Sequence, residues 1–151
     1  MTTTAFISHR DCWQHNMGAH HPECPDRLGA ISDRLIASGL DVYLQFHDAP
    51  LAEVDQLQRV HPREYIDHVR TSSPEHGIVH LDPDTAMSPG TLQAALRSAG
   101  AGCYATDLVM RGEVNNAFCA GVLMLAGVPG WAPWCCNTCL DSSAIFSKYS
   151  L

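Results

Sequence analysis

Residues 81–112, LDPDTAMSPGTLQAALRSAGAGCYATDLVMRG, hold the clearest helix signal in the chain, and the fold is read outward from them. The stretch opens with Asp82 and Asp84 beside prolines, and Pro83 pushes Asp82 toward an extended backbone. Ser88 then offers an N-cap and Pro89 a first helical residue. From there Leu92, Ala95, Leu96, Ala99, Cys103, Thr106 and Met110 recur every three or four residues, which predicts one apolar helix face. Alanines and glycines crowd residues 94–102, so such a helix lies close to a neighbouring sheet. Gly112 is the predicted stop.

Upstream, residues 4–7 read as a short first strand running into the polar loop SHRDCWQHNMGAHHPEC. Pro25 starts a helix with Leu28, Ile31, Leu35 and Ile36 as its apolar stripe, and Gly39 ends it. Leu40, Val42, Leu44 and Phe46 alternate with polar neighbours, which predicts a half-buried strand over 40–46. A short helix is expected over 51–60, and another from Pro62 with Tyr65, Ile66 and Val69 inward, closed by residues 71–74. Ile78 and Val79 form a brief extended piece before the acidic loop. Residues 116–120 have the short apolar form of a strand in a parallel sheet. Strands separated by helices give an α/β layered fold.

Composition narrows the function classes. The chain has 151 residues and a net charge of -7, which supplies no electrostatic reason to bind nucleic acid or an anionic membrane. No segment has the length of a bilayer span, and MTTTAFISHR lacks the basic-then-apolar form of a secretion signal, so a cytoplasmic location is expected. Seven cysteines are an odd number, and reduced thiols are expected. All nine histidines lie at or before His80, the sole lysine is Lys148, and residues 117–140 carry no charge. The chain changes character near residue 120.

Several groups suggest chemistry. His9, His15, His20 and His21, with Asp11 and Cys12, invite a zinc reading, but their spacing fits no compact motif, and hydrogen-bonding loop histidines are the expectation. Asp82 and Asp84, two apart in an extended segment, point the same way and suit a cation or a ligand amide; equally, one caps the long helix or braces the loop. Arg27, just after Pro25 at the mouth of a polar loop, suits a carboxylate. Cys136 and Cys139 form a C-x-x-C beside Cys135, yet no Cys or His follows to complete a zinc knuckle.

Taken in order, HHPECPDRLGAI (20–31), DAPL (48–51), VHPREYIDHV (60–69), LDPDTAMSPGTLQAALRSAGA (81–101) and NNAFCA (115–120) resemble the N-terminal part of the histone deacetylase superfamily. The similarity is to its bacterial deacetylase and acetylpolyamine amidohydrolase branch. The resemblance implies an arginase/deacetylase-like three-layer fold with a parallel sheet, here truncated. It also implies a zinc-dependent hydrolase of acetyl-lysine or acetylpolyamine amides, with histidines as general base and acid and a tyrosine on the oxyanion. By the same resemblance Arg27 lines an internal channel for departing acetate. Asp84, rather than Asp82, grips substrate at the rim, and His21 and Pro22 flank the entrance.

After NNAFCA the family continues into a Pro-Gly-His-His segment, where this chain has GVLMLAG (121–127). None of the family's zinc ligands, nor its histidine pair or tyrosine, has a counterpart here, so no catalytic and no metal-binding residue is assigned. The expectation is a deacetylase-like portion over 1–120, a divergent apolar Cys- and Trp-containing tail over 121–151, and no activity in the chain as written. The alternatives are an active enzyme of which this is one part, and a non-enzymatic interaction or metal-binding module built on the tail. The abrupt change points to a frameshift, an altered splice or a damaged gene. Reading DNA and transcript past the Cys119 codon in all three frames checks this. A frame that resumes with paired histidines and an Asp-x-His supports it, and the lack of one makes the short chain the real product.

Overall fold

The computed structural model describes residues 2–18, 21, 23–83 and 85–121. Along them run β1 (Thr4–Ser8), a 3-10 turn (Arg10–Gln14), α1 (Asp26–Ala37), a second 3-10 turn (Asp41–Tyr43) and β2 (Leu44–Asp48). Then follow α2 (Val54–Leu57), α3 (Arg63–Thr71), β3 (Val79–Asp82), β4 (Thr85–Met87), α4 (Thr91–Met110) and β5 (Asn116–Ala120). The α/β fold is as expected: β1 lies between β2 and β5, parallel to both. None of the described helices is long and apolar enough to cross a membrane.

The order β2-β1-β5 means the chain leaves β1 in one direction and later returns past it to reach β5. Right-handed crossovers on both journeys put the connecting helices on opposite faces, and the core divides accordingly. Ala5 and Ile7, both fully buried, pack with Ala101, Leu108 and Val114 on the α4 side. Phe6 points the other way and packs with Leu28 of α1, with Ile31 and Leu35 partly buried against it. Helix, sheet, helix makes three layers. Across the sheet Phe6 stands in register with Phe46 and Phe118, ring centroids 5.3 and 5.7 Å away.

Both long helices stop as their glycines predict. After α1, Gly39 takes φ 66°, its N–H bonds the Ile36 carbonyl and that of Leu40 bonds Leu35; after α4, Gly112 at φ 72° repeats the pattern with Val109 and Leu108. This paired closure satisfies carbonyls that a helix end otherwise leaves open.

Five expectations need correction. The long helix starts at Thr91, because Ser88, Pro89 and Gly90 make a turn closed by Thr91 N–H on the Ser88 carbonyl at 3.0 Å, and Gly90 at φ 87° is the cap. Its buried face is also rotated from the predicted one: Thr91, Ala94, Gly100, Ala101 and Leu108 are buried, whereas Met110 is 79% exposed. Closeness to the sheet and the 10–14 turn selects small side chains, so the larger ones turn outward. The strand predicted over 40–46 begins at Leu44, since Leu40 to Tyr43 closes a 3-10 turn (Tyr43 N–H to Leu40 carbonyl, 3.1 Å) and leaves Val42 and Phe46 exposed. The acidic loop is the bend of an antiparallel hairpin, β3 with β4, and Asp82 belongs to its first strand. Ile36, placed in the apolar stripe of α1, is 65% exposed; it borders a cleft of about 160 Å³ with Leu35, Asp41 and Phe46.

Gly100 and Gly102 separate packing from propensity. A methyl group on Gly100 would collide with the Pro50 carbonyl, while one on Gly102 meets nothing within 4 Å. Both substitutions gain about 0.8–1.0 kcal/mol of helix propensity. Gly102→Ala should raise the unfolding free energy by up to that amount. Gly100→Ala should lower it by about 1–3 kcal/mol, because the contacted atoms are backbone. Denaturant melts of both variants test the pair.

Candidate functional site at the carboxyl ends of the strands

In a sheet whose chain leaves its central strand in both directions, the crevice beyond the carboxyl ends at the reversal point is where ligands bind. Here that point lies between Ser8 of β1 and Ala120 of β5. The loop after β1, the start of α1, the start of α4 and Gly121 meet around it.

Arg27, on the first turn of α1, bridges two of these elements. Its Nη2 donates to Glu23 Oε1 and to the Gly121 carbonyl, each at 2.6 Å. The carboxylate that the guanidinium holds here comes from its own loop. The side chain is 32% exposed, yet its Nε is buried and, among the described residues, without a hydrogen-bond partner. His21 is half-buried; its Nδ1 accepts from the Glu23 N–H at 3.1 Å, which fixes the backbone that presents Glu23 to Arg27. Pro22 and Asp84 lie outside the described residues, as do His20 and the Cys135, Cys136 and Cys139 cluster.

A second layer of polar contacts comes from α4. Thr91, Ala94, Ser98 and Ala101 lie three or four residues apart and so share one face. Thr91 Oγ1 lies 2.9 Å from His15 Nδ1 and 3.1 Å from Ser88 Oγ. Cys12 Sγ is 4.0 Å from Ser98 Oγ. Gly121 sits so close to Ser98 that a Cβ there would overlap its hydroxyl. Next to Ser98, Arg97 Nε holds Asp11 Oδ2 at 3.0 Å and Nη1 donates to the Ala49 carbonyl at 2.7 Å. In front of this layer an open cleft of about 310 Å³ runs between Gln14, Asn16, Ile78 and Ser88.

The loop histidines behave as hydrogen-bonding groups. His9 Nδ1 sits 3.1 Å from Asp11 N and caps the first 3-10 turn. His15, 1% exposed, is the important one, and the sequence reading left it among metal candidates without a site role. Polar residues at 91 and 98 of a helix otherwise lined by alanine were the available signal. Among the described residues no three or more His, Cys, Asp or Glu side chains gather where they would hold a metal ion. These residues do not fit the zinc that the resemblance implies, and no chemical step is routed through it.

The fold agrees with what the chain is similar to. The histone deacetylase domain model matches residues 21–122. The histone deacetylase-like amidohydrolase of Pseudomonas aeruginosa is 32% identical over 132 residues, which cover 76% of this chain and 34% of that protein. The human polyamine deacetylase HDAC10 is 32% identical over 126 residues, covering 75% of this chain and 18% of the relative. The crystal structure of the HDA15 HD domain superposes with a TM-score of 0.73 at 27% identity, over 83% of this chain and 39% of that one. The chain belongs to the histone deacetylase family. It spans about a third of the length of the bacterial relative it matches.

Burial pushes the His15 imidazole below its ordinary value; Glu23 opposes this, while His21 and Arg27 add to it. Burial lowers His61 as well. A histidine kept neutral in the fold takes up its proton more readily once unfolded, so its stabilisation is complete above the unfolded value of about 6.5 and is lost as pH falls below it. Thermal melts should therefore show the midpoint dropping between about pH 7 and pH 5. His15→Gln should flatten part of that drop, and an unchanged slope in that variant would assign it elsewhere.

Proposed function

We propose that this chain supplies the inner acyl channel and part of the entrance rim of a zinc-dependent deacetylase acting on acetyl-lysine or acetylpolyamine amides. The observation that carries the reading is the placement of Arg27. It stands within the family match, at the carboxyl end of the central strands, tied to Glu23 and to the Gly121 carbonyl. A guanidinium buried along one edge and open along another suits a small carboxylate leaving the site, because paired N–H groups bind carboxylate oxygens in the same plane.

In this reading Arg27 lines the route by which acetate departs. Asp84 accepts hydrogen bonds from the substrate backbone at the rim, and His21 and Pro22 shape the entrance. The residues of this chain position the acyl end of the substrate. The chain's relatives support both substrate classes: one is a histone deacetylase-like amidohydrolase, the other a polyamine deacetylase. We place this work in the cytoplasm, without nucleic acid or membrane as partners.

The 151 residues alone are not sufficient for the reaction. After His80 the sequence contains no histidine, and from 117 to 140 no charged side chain, so neither the general base nor the carboxylate ligand of the family's chemistry is supplied there. The purified chain, incubated with zinc and either an acetyl-lysine peptide or N-acetylputrescine, should release acetate no faster than a buffer control. Chelator-sensitive turnover would refute this. In that event Asp84→Ala should weaken substrate binding more than it weakens folding, and equal loss in both would reject the rim role.

A further inference from the structure

The hydrogen bonds around His15 determine where its proton sits. Ser88 N–H donates to Thr91 Oγ1 at 2.9 Å, and Asn16 N–H donates to Ser88 Oγ at 3.0 Å. The Ser88 hydroxyl then has one proton to place, and Thr91 Oγ1, 3.1 Å away, accepts it. With two bonds accepted, the Thr91 hydroxyl gives its own proton to His15 Nδ1 at 2.9 Å. The opposite direction would leave the buried Ser88 proton without one of these acceptors. Both hydroxyl protons of this relay, on Ser88 and on Thr91, meet an acceptor when His15 is neutral and carries its hydrogen on Nε2.

That Nε2–H is buried and has no partner among the described residues. The Nε–H of Arg27 is in the same condition. Both residues stand at the carboxyl ends of the strands, His15 just past the 3-10 turn that follows β1 and Arg27 on the first turn of α1, tied to Gly121 just past β5. Native proteins rarely leave buried donors unmet, each costing the desolvation of the group, so two at this end of the sheet mark a place for an acceptor.

We infer that His15 is a second anchoring donor of the acyl-side pocket, with its Nε2–H and the Arg27 Nε–H receiving the oxygens of one small carboxylate. The inference rests on the reading of Arg27 given above and adds a residue to it. It also assigns positioning roles to Thr91 and Ser88, which fix the tautomer without touching the ligand. A neutral donor suits this place: it binds the anion while it bears on it, and releases it without a second full positive charge holding it back.

The experiment uses the full chain with 15N-labelled histidine and follows imidazole nitrogens by NMR at about pH 7.5, where a histidine of lowered pKa is neutral. His15 should show a protonated Nε2 and a bare Nδ1; the reverse pattern overturns the inference. Sodium acetate should shift the Nε2 signal saturably, whereas sodium chloride at equal ionic strength should not. His15→Phe should weaken acetate binding, read on the variant by calorimetry, at least about tenfold, the loss expected for one hydrogen bond to a charged group. Thr91→Val leaves the ring in place but unlocks its tautomer, and should weaken acetate in the same direction if His15→Phe proves unable to fold. Unchanged acetate affinity in folded His15→Phe, or in Thr91→Val, overturns the role of His15. If Arg27→Met alone then abolishes binding, the channel reading stands without it. If acetate never saturates and Arg27→Met changes nothing, the channel reading falls as well.

Discussion

Where α4 crosses the sheet, the Pro50 carbonyl occupies the space a side chain on residue 100 would need. That contact sets the distance between helix and strands. It requires glycine at 100 and alanine at 94 and 101, both buried against neighbouring elements. It also brings the Ala52 N–H to the Leu96 carbonyl at 2.9 Å, an unusual bond between a loop and the middle of a helix. Because α4 lies so low, its Thr91 and Ser98 hydroxyls reach the loop after β1, and the polar cluster at the carboxyl ends can form. A larger residue at 100 would lift the helix and part Thr91 from His15. Packing at one end of the contact thereby governs chemistry at the other.

The cluster itself is built almost wholly from connections rather than from strands. Glu23 and His21 sit in a loop, Arg27 in the first turn of a helix, Gly121 just past a strand. Such groups have no regular ladder to fix them, so they fix one another: the His21 ring holds the Glu23 backbone, Glu23 holds Arg27, and Arg27 holds Gly121. Behind them the Asp11–Arg97 pair and its bond to the Ala49 carbonyl tie the loop after β1 to the loop after β2. Strand order decides where these loops meet, and side-chain bonds decide how rigidly.

Much of the fold was legible in the sequence because it follows from short-range rules. The first strand, the helices beginning after Pro25 and Pro62, both glycine stops and the strand at 116–120 depend on propensity, caps and local periodicity. What escaped was set by tertiary contact. Alternation over 40–46 looked like a strand, but the turn from Leu40 to Tyr43 took four of those residues before pairing with β1 could start. The apolar stripe of α4 was read by size, whereas its neighbours select smallness. Arg27 was singled out by resemblance and position together. His15 was not, since nothing local distinguishes it from the other loop histidines; its role depends on Thr91, 76 residues away.

The three phenylalanines aligned across the sheet, Phe46, Phe6 and Phe118, also work as a ruler. Side chains alternate faces along a strand, so sliding β2 or β5 by one residue would carry its ring to the opposite face. That face is floored by Ala5 and Ile7 and covered closely by α4, with no room for a benzyl group. A misregistered strand would therefore exclude the helix that completes the layer, and the assembled domain admits only the alignment in which all three rings stand on the same side.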